Sequence, residues 1–248
     1  MSAYERFAEV YDALMADVDY DKWAEYLLSM MPDGELSIVD CACGTGQISL
    51  RMAKRGHRLT GVDCSEDMLQ IAAERMRAAG VRVSLVRQDM SRLELHKPAD
   101  VILCVCDGVN YLTSLSAVER FFDSAFACLK PGGLLMFDVS SRYKLEKVLG
   151  NRSFGEDDSE RAYVWLNAYD DKSKLVRMSL SFFIRRGNLY ERFTEEHTQR
   201  AHSQAELSLA LKRAGFEMKG IYEAFSDRPP RPCSERIQFV AVKPNAKK

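Results

Sequence analysis

Ser37-Ile38-Val39-Asp40-Cys41-Ala42-Cys43-Gly44-Thr45-Gly46-Gln47 carries an apolar, β-branched run through a two-glycine turn into a helical pattern. Ser37–Cys41 reads as a buried strand. Gly44 and Gly46 let the backbone turn tightly and approach a ligand closely, because a Cβ there would clash. A strand passing through such a turn into a helix N-terminus opens a βαβ unit. In an open parallel sheet, ligands bind beyond the carboxyl ends of the strands.

The pattern continues in both directions. Upstream, Tyr4, Phe7, Ala8, Tyr11, Leu14 and Met15 recur at helical spacing, as do Tyr20, Trp23, Ala24, Leu27, Leu28 and Met31, until Pro32-Asp33-Gly34 stops the run. Downstream, a helix ends at Gly56 and Arg58–Asp63 forms a second strand. Ser65 caps a helix with Glu66 and Asp67 in its first turn and Gly80 at its end. Val81–Val86 and Ala99–Cys106 are further strands. Ser116-Ala117-Val118-Glu119 reads as a capping box, Lys130-Pro131-Gly132-Gly133 as a break, and Leu134–Val139 as a fifth strand. Strands alternating with helices at this spacing imply an α/β fold with a mostly parallel sheet.

From about residue 141 the pattern changes. Residues 161–169, 174–185 and 189–199 are rich in aromatic and β-branched residues, parted by two turn-like segments, and predict a three-stranded antiparallel insert. Polar residues 151–160 read as a mobile linker. Ser203-Gln204-Ala205-Glu206 is a second capping box; strands Glu217–Ala224 and Arg236–Val242 follow, split by a Pro-rich loop. The organisation expected is residues 1–34 as an N-terminal helical lid, 35–140 and 201–248 as the core, and 141–200 as an insert.

The 248 residues carry a formal net charge of −1. A polyanion binder usually shows a basic excess, so nucleic acid is a disfavoured partner. The start, Met1–Arg6, lacks a basic-then-apolar pattern, and no apolar run approaches the roughly 18 residues that span a bilayer. Seven cysteines form no C-x-x-C pair. Cys41, Cys43, Cys104 and Cys106 alternate in apolar stretches and read as buried strand positions, which points to a reducing, cytoplasmic setting. Neither cysteines nor histidines show metal-ligand spacing.

Asp40, Asp63 and Asp89 stand where the first three strands hand over to the next element. Asp63 follows Gly46 at close to the roughly 20 residues expected of an acid that binds ribose hydroxyls. A dinucleotide site wants Gly-x-Gly-x-x-Gly/Ala; here the third position is Ser49. Asp40 would repel a pyrophosphate but attract an ammonium. S-adenosylmethionine carries an ammonium on its amino-acid end and NAD has none, so the acid favours S-adenosylmethionine, with NAD as the alternative.

These segments, with Gly61-Val62-Asp63-Cys64-Ser65-Glu66-Asp67-Met68-Leu69, Gln88-Asp89-Met90 and Leu129-Lys130-Pro131-Gly132-Gly133, resemble class I S-adenosylmethionine-dependent methyltransferases. The likeness is to a bacterial small-molecule-type subfamily of unsettled substrate, and it covers nearly the whole chain. It implies a Rossmann-like, seven-stranded, mostly parallel sheet with helices on both faces. It also implies that Gly44 and Gly46 flank the methionine portion, that Asp63 binds ribose, and that Cys64 and Met68 pack near the nucleoside. Asp89 would face the adenine amino group, with Met90 supplying a backbone donor. Ala42 stands where the family often has glycine, a small residue expected to change little. Tyr4, Tyr11 and Asp12 match the lid helix, with the two tyrosines as candidates for the methionine carboxylate. Asp107-Gly108-Val109-Asn110-Tyr111 matches an Asp-x-x-Asn-Tyr segment beside the transferable methyl. The Asn/Asp-Pro-Pro-Tyr pattern of nucleic-acid amino-methyltransferases is missing.

Glu195-Glu196-His197-Thr198-Gln199-Arg200 ends the insert, where the likeness places the acceptor side. Strand alternation puts His197 and Gln199 on one face and Thr198 and Arg200 on the other. His197 is the candidate base. Arg200 either binds an acidic acceptor or cross-links the insert. His57, His96 and His202 read as surface. The expected function is methyl transfer to a small molecule; RNA or protein methylation, or cofactor binding without catalysis, are the alternatives.

Overall fold

The computed structural model describes residues 18–158 and 160–245. Tyr4, Tyr11 and Asp12 therefore lie outside the described residues. Seven strands form the main sheet in the order β10-β11-β5-β4-β1-β2-β3. They are β1 (Ser37–Cys41), β2 (Arg58–Asp63), β3 (Val83–Arg87), β4 (Ala99–Cys104), β5 (Leu129–Ser140), β10 (Glu217–Glu223) and β11 (Arg236–Val242). Pairs β1–β2, β1–β4, β2–β3 and β4–β5 are parallel, whereas β11 runs antiparallel to β5 and to β10. The strand order reverses beside β1, so the ends of β1 and β4 form the crevice.

Period-two alternation sorts each strand's side chains between two apolar layers. Ile38, Val101, Leu103 and Met136 meet α1 (Tyr20–Leu28) and α2 (Gln47–Lys54) through Trp23, Leu27, Ile48 and Met52. Val39, Ile102, Leu135 and Phe137 meet α4 (Leu115–Cys128) and α5 (Gln204–Arg213) through Phe121, Phe122, Leu207 and Leu211. Phe137 stacks on Phe239 of β11 at 4.8 Å, which joins the antiparallel strand to the parallel part. The described part of the expected lid, α1, thus packs as a core helix. Asp21 at its start bonds Arg51 of α2.

Several sequence expectations shift. The cap of α4 is Ser114, whose hydroxyl accepts from the Ala117 amide, so the box expected at Ser116–Glu119 does not form. β5 begins at Leu129, running through the expected glycine break with a register shift against β4. The insert is a four-stranded antiparallel meander: β6 (Ser153–Asp157), β7 (Arg161–Asp170), β8 (Leu175–Arg186) and β9 (Leu189–Arg200). β6 occupies the segment expected to be a linker. α3 (Glu66–Ala78) starts at Ser65, whose hydroxyl accepts from the Met68 amide. The capping box at Ser203 forms with both reciprocal bonds.

Candidate active site

The turn after β1 is built from strained backbone. Ala42 has φ 54°, Gly44 52° and Gly46 77°, all left-handed. The left-handed region costs a Cβ-bearing residue about 1–2 kcal/mol, so Ala42 is a strained substitute for glycine rather than a neutral one. The two glycines serve different ends. A Cβ on Gly46 would lie 2.8 Å from Met76 Cε and 3.1 Å from Ala72 Cβ, so this glycine permits α2 to meet α3. A Cβ on Gly44 would meet nothing within 4 Å; it faces open space beyond the strand. Gly44 thus leaves room at the strand end, while Gly46 lets α2 pack against α3.

Asp63 ties this turn to the next. Its Oδ2 accepts from the Gly44 amide at 2.8 Å and its Oδ1 from the Ser65 amide at 2.9 Å. A carboxylate keeps further lone pairs for hydroxyl donors. Asp40 lies deeper: it is 2% exposed and accepts from Ser49 Oγ at 2.6 Å. Burial pushes its carboxyl up to about 6; the Ser49 bond opposes that and nearby Asp63 adds to it. Asp40 thus offers no surface-exposed oxygen. At the end of β3, Asp89 is exposed and its Oδ1 accepts from the Ser91 amide. Met90 sets its sulfur 3.6 Å from Cys104 Sγ. Cys64 is exposed, and Met68 packs beneath Phe182 and Phe193 of the insert. One sheet edge therefore gathers Asp40, Ala42, Gly44, Gly46, Asp63, Cys64, Met68, Asp89 and Met90.

The end of β4 carries a second strained turn, with Cys106 at φ 57° and Asp107 at 59°. Asp107 anchors a polar cluster. Its Oδ1 pairs with Arg236 Nη2 at 2.6 Å, its Oδ2 accepts from Gln199 Nε2 at 2.8 Å, and its amide donates to Asp138 Oδ2. Arg236 Nη1 also pairs with Asp138, and its guanidinium lies over the Trp23 ring. Asp138 is fully buried, its Oδ1 has no partner, and burial pushes its carboxyl up. Asn110, expected at the cofactor, is fully buried and spends its amide elsewhere. Its Nδ2 donates to the Ser140 and Arg200 carbonyls and its Oδ1 accepts from the Ser140 amide. It pins the turn to β5 and the insert.

On β9 the inward face is Phe193, Glu195, His197 and Gln199, as alternation expects. His197 meets Tyr111 edge-on, ring centres 6.0 Å apart. Burial lowers the His197 pKa, so its imidazole is neutral at pH 7. Arg200 points the other way, pairing with Glu206 at 3.0 Å and donating to the Ser173 carbonyl at 3.1 Å. Of its two expected roles, the structure displays the cross-link between insert and α5. His202, expected at the surface, is 2% exposed; its Nε2 lies 2.9 Å from the Leu112 carbonyl, and burial pulls its pKa down to about 4. Cys43 and Cys106 sit in the turns after their strands, half-buried, not within the strands.

Sequence reasoning missed Arg236 and Asp138. Asp138 did leave a signal: it is the one acid inside the apolar run Leu134–Val139. Arg236 left none, because its partner Asp107 is remote in sequence.

Residues 38–133 match the family model described as a methyltransferase domain. The chain is 36% identical over 241 residues to "Putative methyltransferase YqeM" of Bacillus subtilis (strain 168), covering 97% of each. The crystal structure of an S-adenosylmethionine-dependent methyltransferase from Clostridium acetobutylicum ATCC 824 superposes with a TM-score of 0.88 at 34% identity, covering 99% of this chain and 100% of that one. The chain belongs to the S-adenosylmethionine-dependent methyltransferases. A more distant relative, 24% identical over 218 residues and covering 84% of each chain, is the dTDP-4-amino-2,3,4,6-tetradeoxy-D-glucose N,N-dimethyltransferase of Saccharopolyspora spinosa.

The site of this methyltransferase fits S-adenosylmethionine. The open face at Gly44 leaves room at the strand end, Asp63 keeps acceptor capacity beside it, and the Asp40 carboxyl lies behind the bend. The cofactor supplies an electrophilic methyl on a sulfonium; the chain's own residues must hold it, orient an acceptor, and exclude water. No His, Cys, Asp or Glu group among the described residues is arranged to hold a metal ion.

Proposed function

We propose that this methyltransferase acts on a small molecule held between the glycine bend of β1 and the inner face of the insert. The observation that carries this reading is the path of β9. Phe193, early in the strand, packs with Met68 beyond β2, and Gln199, near its end, bonds Asp107 beyond β4. The insert thus bridges the strand ends from β2 to β4, an arrangement that favours a small acceptor over a polymer laid along an open groove. The Saccharopolyspora spinosa relative, named for a nucleotide-sugar acceptor, supports the same class. The net charge of −1 adds nothing that would draw RNA.

In this reading Asp40, Ala42, Gly44 and Gly46 receive the methionine end, with Asp63 on the ribose. Cys64 and Met68 lie along the nucleoside, and Asp89 and Met90 meet the adenine. Tyr4 and Tyr11 are assigned to the methionine carboxylate. Asp107 orients the acceptor side through Gln199, and His197 takes a proton where the acceptor must lose one. Asn110 and Arg200 position backbone instead of touching substrate. Residues 35–140 and 201–248 act as the cofactor-binding core and 141–200 as the acceptor wall. All seven cysteines are free thiols, which supports a reducing, cytoplasmic location. No helix among the described residues is long and apolar enough to cross a membrane.

The test is methyl transfer from radiolabelled S-adenosylmethionine into three fractions of a bacterial extract: small molecules, RNA and protein. Label in the small-molecule fraction is expected. Label confined to RNA or protein would overturn the reading.

A further inference from the structure

Because β1 lies between β2 and β4 in the sheet, the inward residues of β9 between its two anchors stand over the β1 bend. Those residues are Glu195 and His197, about 7 Å apart along the strand by its rise per residue. His197 has an aromatic neighbour in Tyr111. Glu195 is different. It is 5% exposed and sits opposite Leu180 with Phe193 two residues before it on the same face. Its Oε1 has no hydrogen-bond partner, and no ion pair among the described residues reaches it.

A carboxylate oxygen buried without a partner is costly to keep. Burial alone pushes its pKa upward. Leucine, glutamine or methionine would satisfy the same strand position at lower cost. A carboxylate offers acceptors only, so the group that completes it must bring hydrogen-bond donors, and a positive charge completes it best.

Building on the small-molecule reading, we propose that Glu195 is an acceptor-binding residue, that the acceptor is an amine whose ammonium it holds, and that His197 removes the proton the nitrogen must lose. The bound ammonium gives one proton to the neutral imidazole, leaving an amine and an imidazolium. The nitrogen lone pair then forms the new N–C bond as the C–S bond of the methyl donor breaks. The C–S electron pair stays on sulfur as a thioether, and the positive charge passes from sulfur to the methylated nitrogen. The held ammonium also fixes the nitrogen's direction of approach, which is where an enzyme of this reaction gains rate.

The test uses matched probes: benzylamine with benzyl alcohol, cyclohexylamine with cyclohexanol, and glucosamine with glucose. Binding to the full chain with S-adenosylhomocysteine present is read by saturation-transfer NMR, and methyl transfer by radiolabel. The wild type is expected to bind and methylate the amine in at least one pair and to ignore its alcohol. Glu195→Gln should weaken amine binding at least tenfold while S-adenosylhomocysteine affinity and thermal stability hold. Glu195→Asp should restore part of the amine binding. Preference for alcohols would overturn the amine assignment and leave the small-molecule reading intact. Amine binding unchanged in Glu195→Gln, or no amine bound by a wild type that binds S-adenosylhomocysteine, would also overturn it. Label found only on RNA or protein defeats both readings.

Discussion

Asp40→Asn separates what the fold tolerates from what the cofactor requires. The Asp40 carboxyl is buried and its pKa stands at about 6 against an ordinary 3.8, with burial the main cause. That gap corresponds to about 3 kcal/mol of preference for the neutral form. Because the folded value is raised, this group's stabilising contribution is fully present below about pH 4. It fades as pH rises and is gone above about pH 6. Asparagine keeps an oxygen to accept from Ser49 and never ionises. Without cofactor, the variant should therefore gain on the wild type as pH rises from 4 to 8, by up to about 3 kcal/mol. For a chain of this size that is a difference in Tm of about 6–12 °C. The new amide's unpaired donors cost part of that gain, so the slope with pH is diagnostic and the absolute offset is not. Urea titrations of both proteins at matched pH cancel contributions from other groups. In calorimetry the variant should bind S-adenosylhomocysteine at least about tenfold more weakly, through loss of a charge-assisted interaction of about 1.5–3 kcal/mol. Parallel pH profiles would refute the desolvated charge. Unchanged affinity would refute its role toward the cofactor's ammonium.

Three further outcomes are expected. Arg236→Met should destabilise the chain by about 3–5 kcal/mol, because Asp138 and Asp107 lose their shared cation, and adding Asp138→Asn should recover part of that in denaturant titrations. Ala42→Gly should raise Tm by a few degrees, since relief of the left-handed strain at φ 54° exceeds the entropy glycine adds to the unfolded chain; a lower Tm would refute the strain. His197→Ala should slow turnover about 100-fold or more without altering S-adenosylhomocysteine affinity, and a fully active variant would remove it as a base.

The alternation of apolar strands and capped helices made the main sheet legible in the sequence, because those signals are local. β1, β2 and β11 begin and end where the hydrophobic pattern does. What escaped the sequence depends on distant partners. β6 is exposed at all five positions and has no alternation to read; it is a strand because β7 offers an unpaired edge. His202 is buried by the turn that ends at Leu112, far away in the chain. Two serines stand where α4 begins, and Ser114 takes the cap because the first helical turn forms at Leu115. The gathering of Asp40, Asp63 and Asp89 at one end of the sheet was legible because these acids fall at strand ends. The cluster of Asp107, Asp138, Gln199 and Arg236 was not, because it joins four elements that meet only in three dimensions.

If β9 roofs the β1 bend, the reacting methyl faces Glu195 and His197. A crystal structure with S-adenosylhomocysteine measures this directly. The ribose is expected on Asp63, the amino-acid end in the bend before Asp40, and the sulfur turned toward the inner face of β9. A sulfur turned away from the insert, toward open solvent, would contradict it.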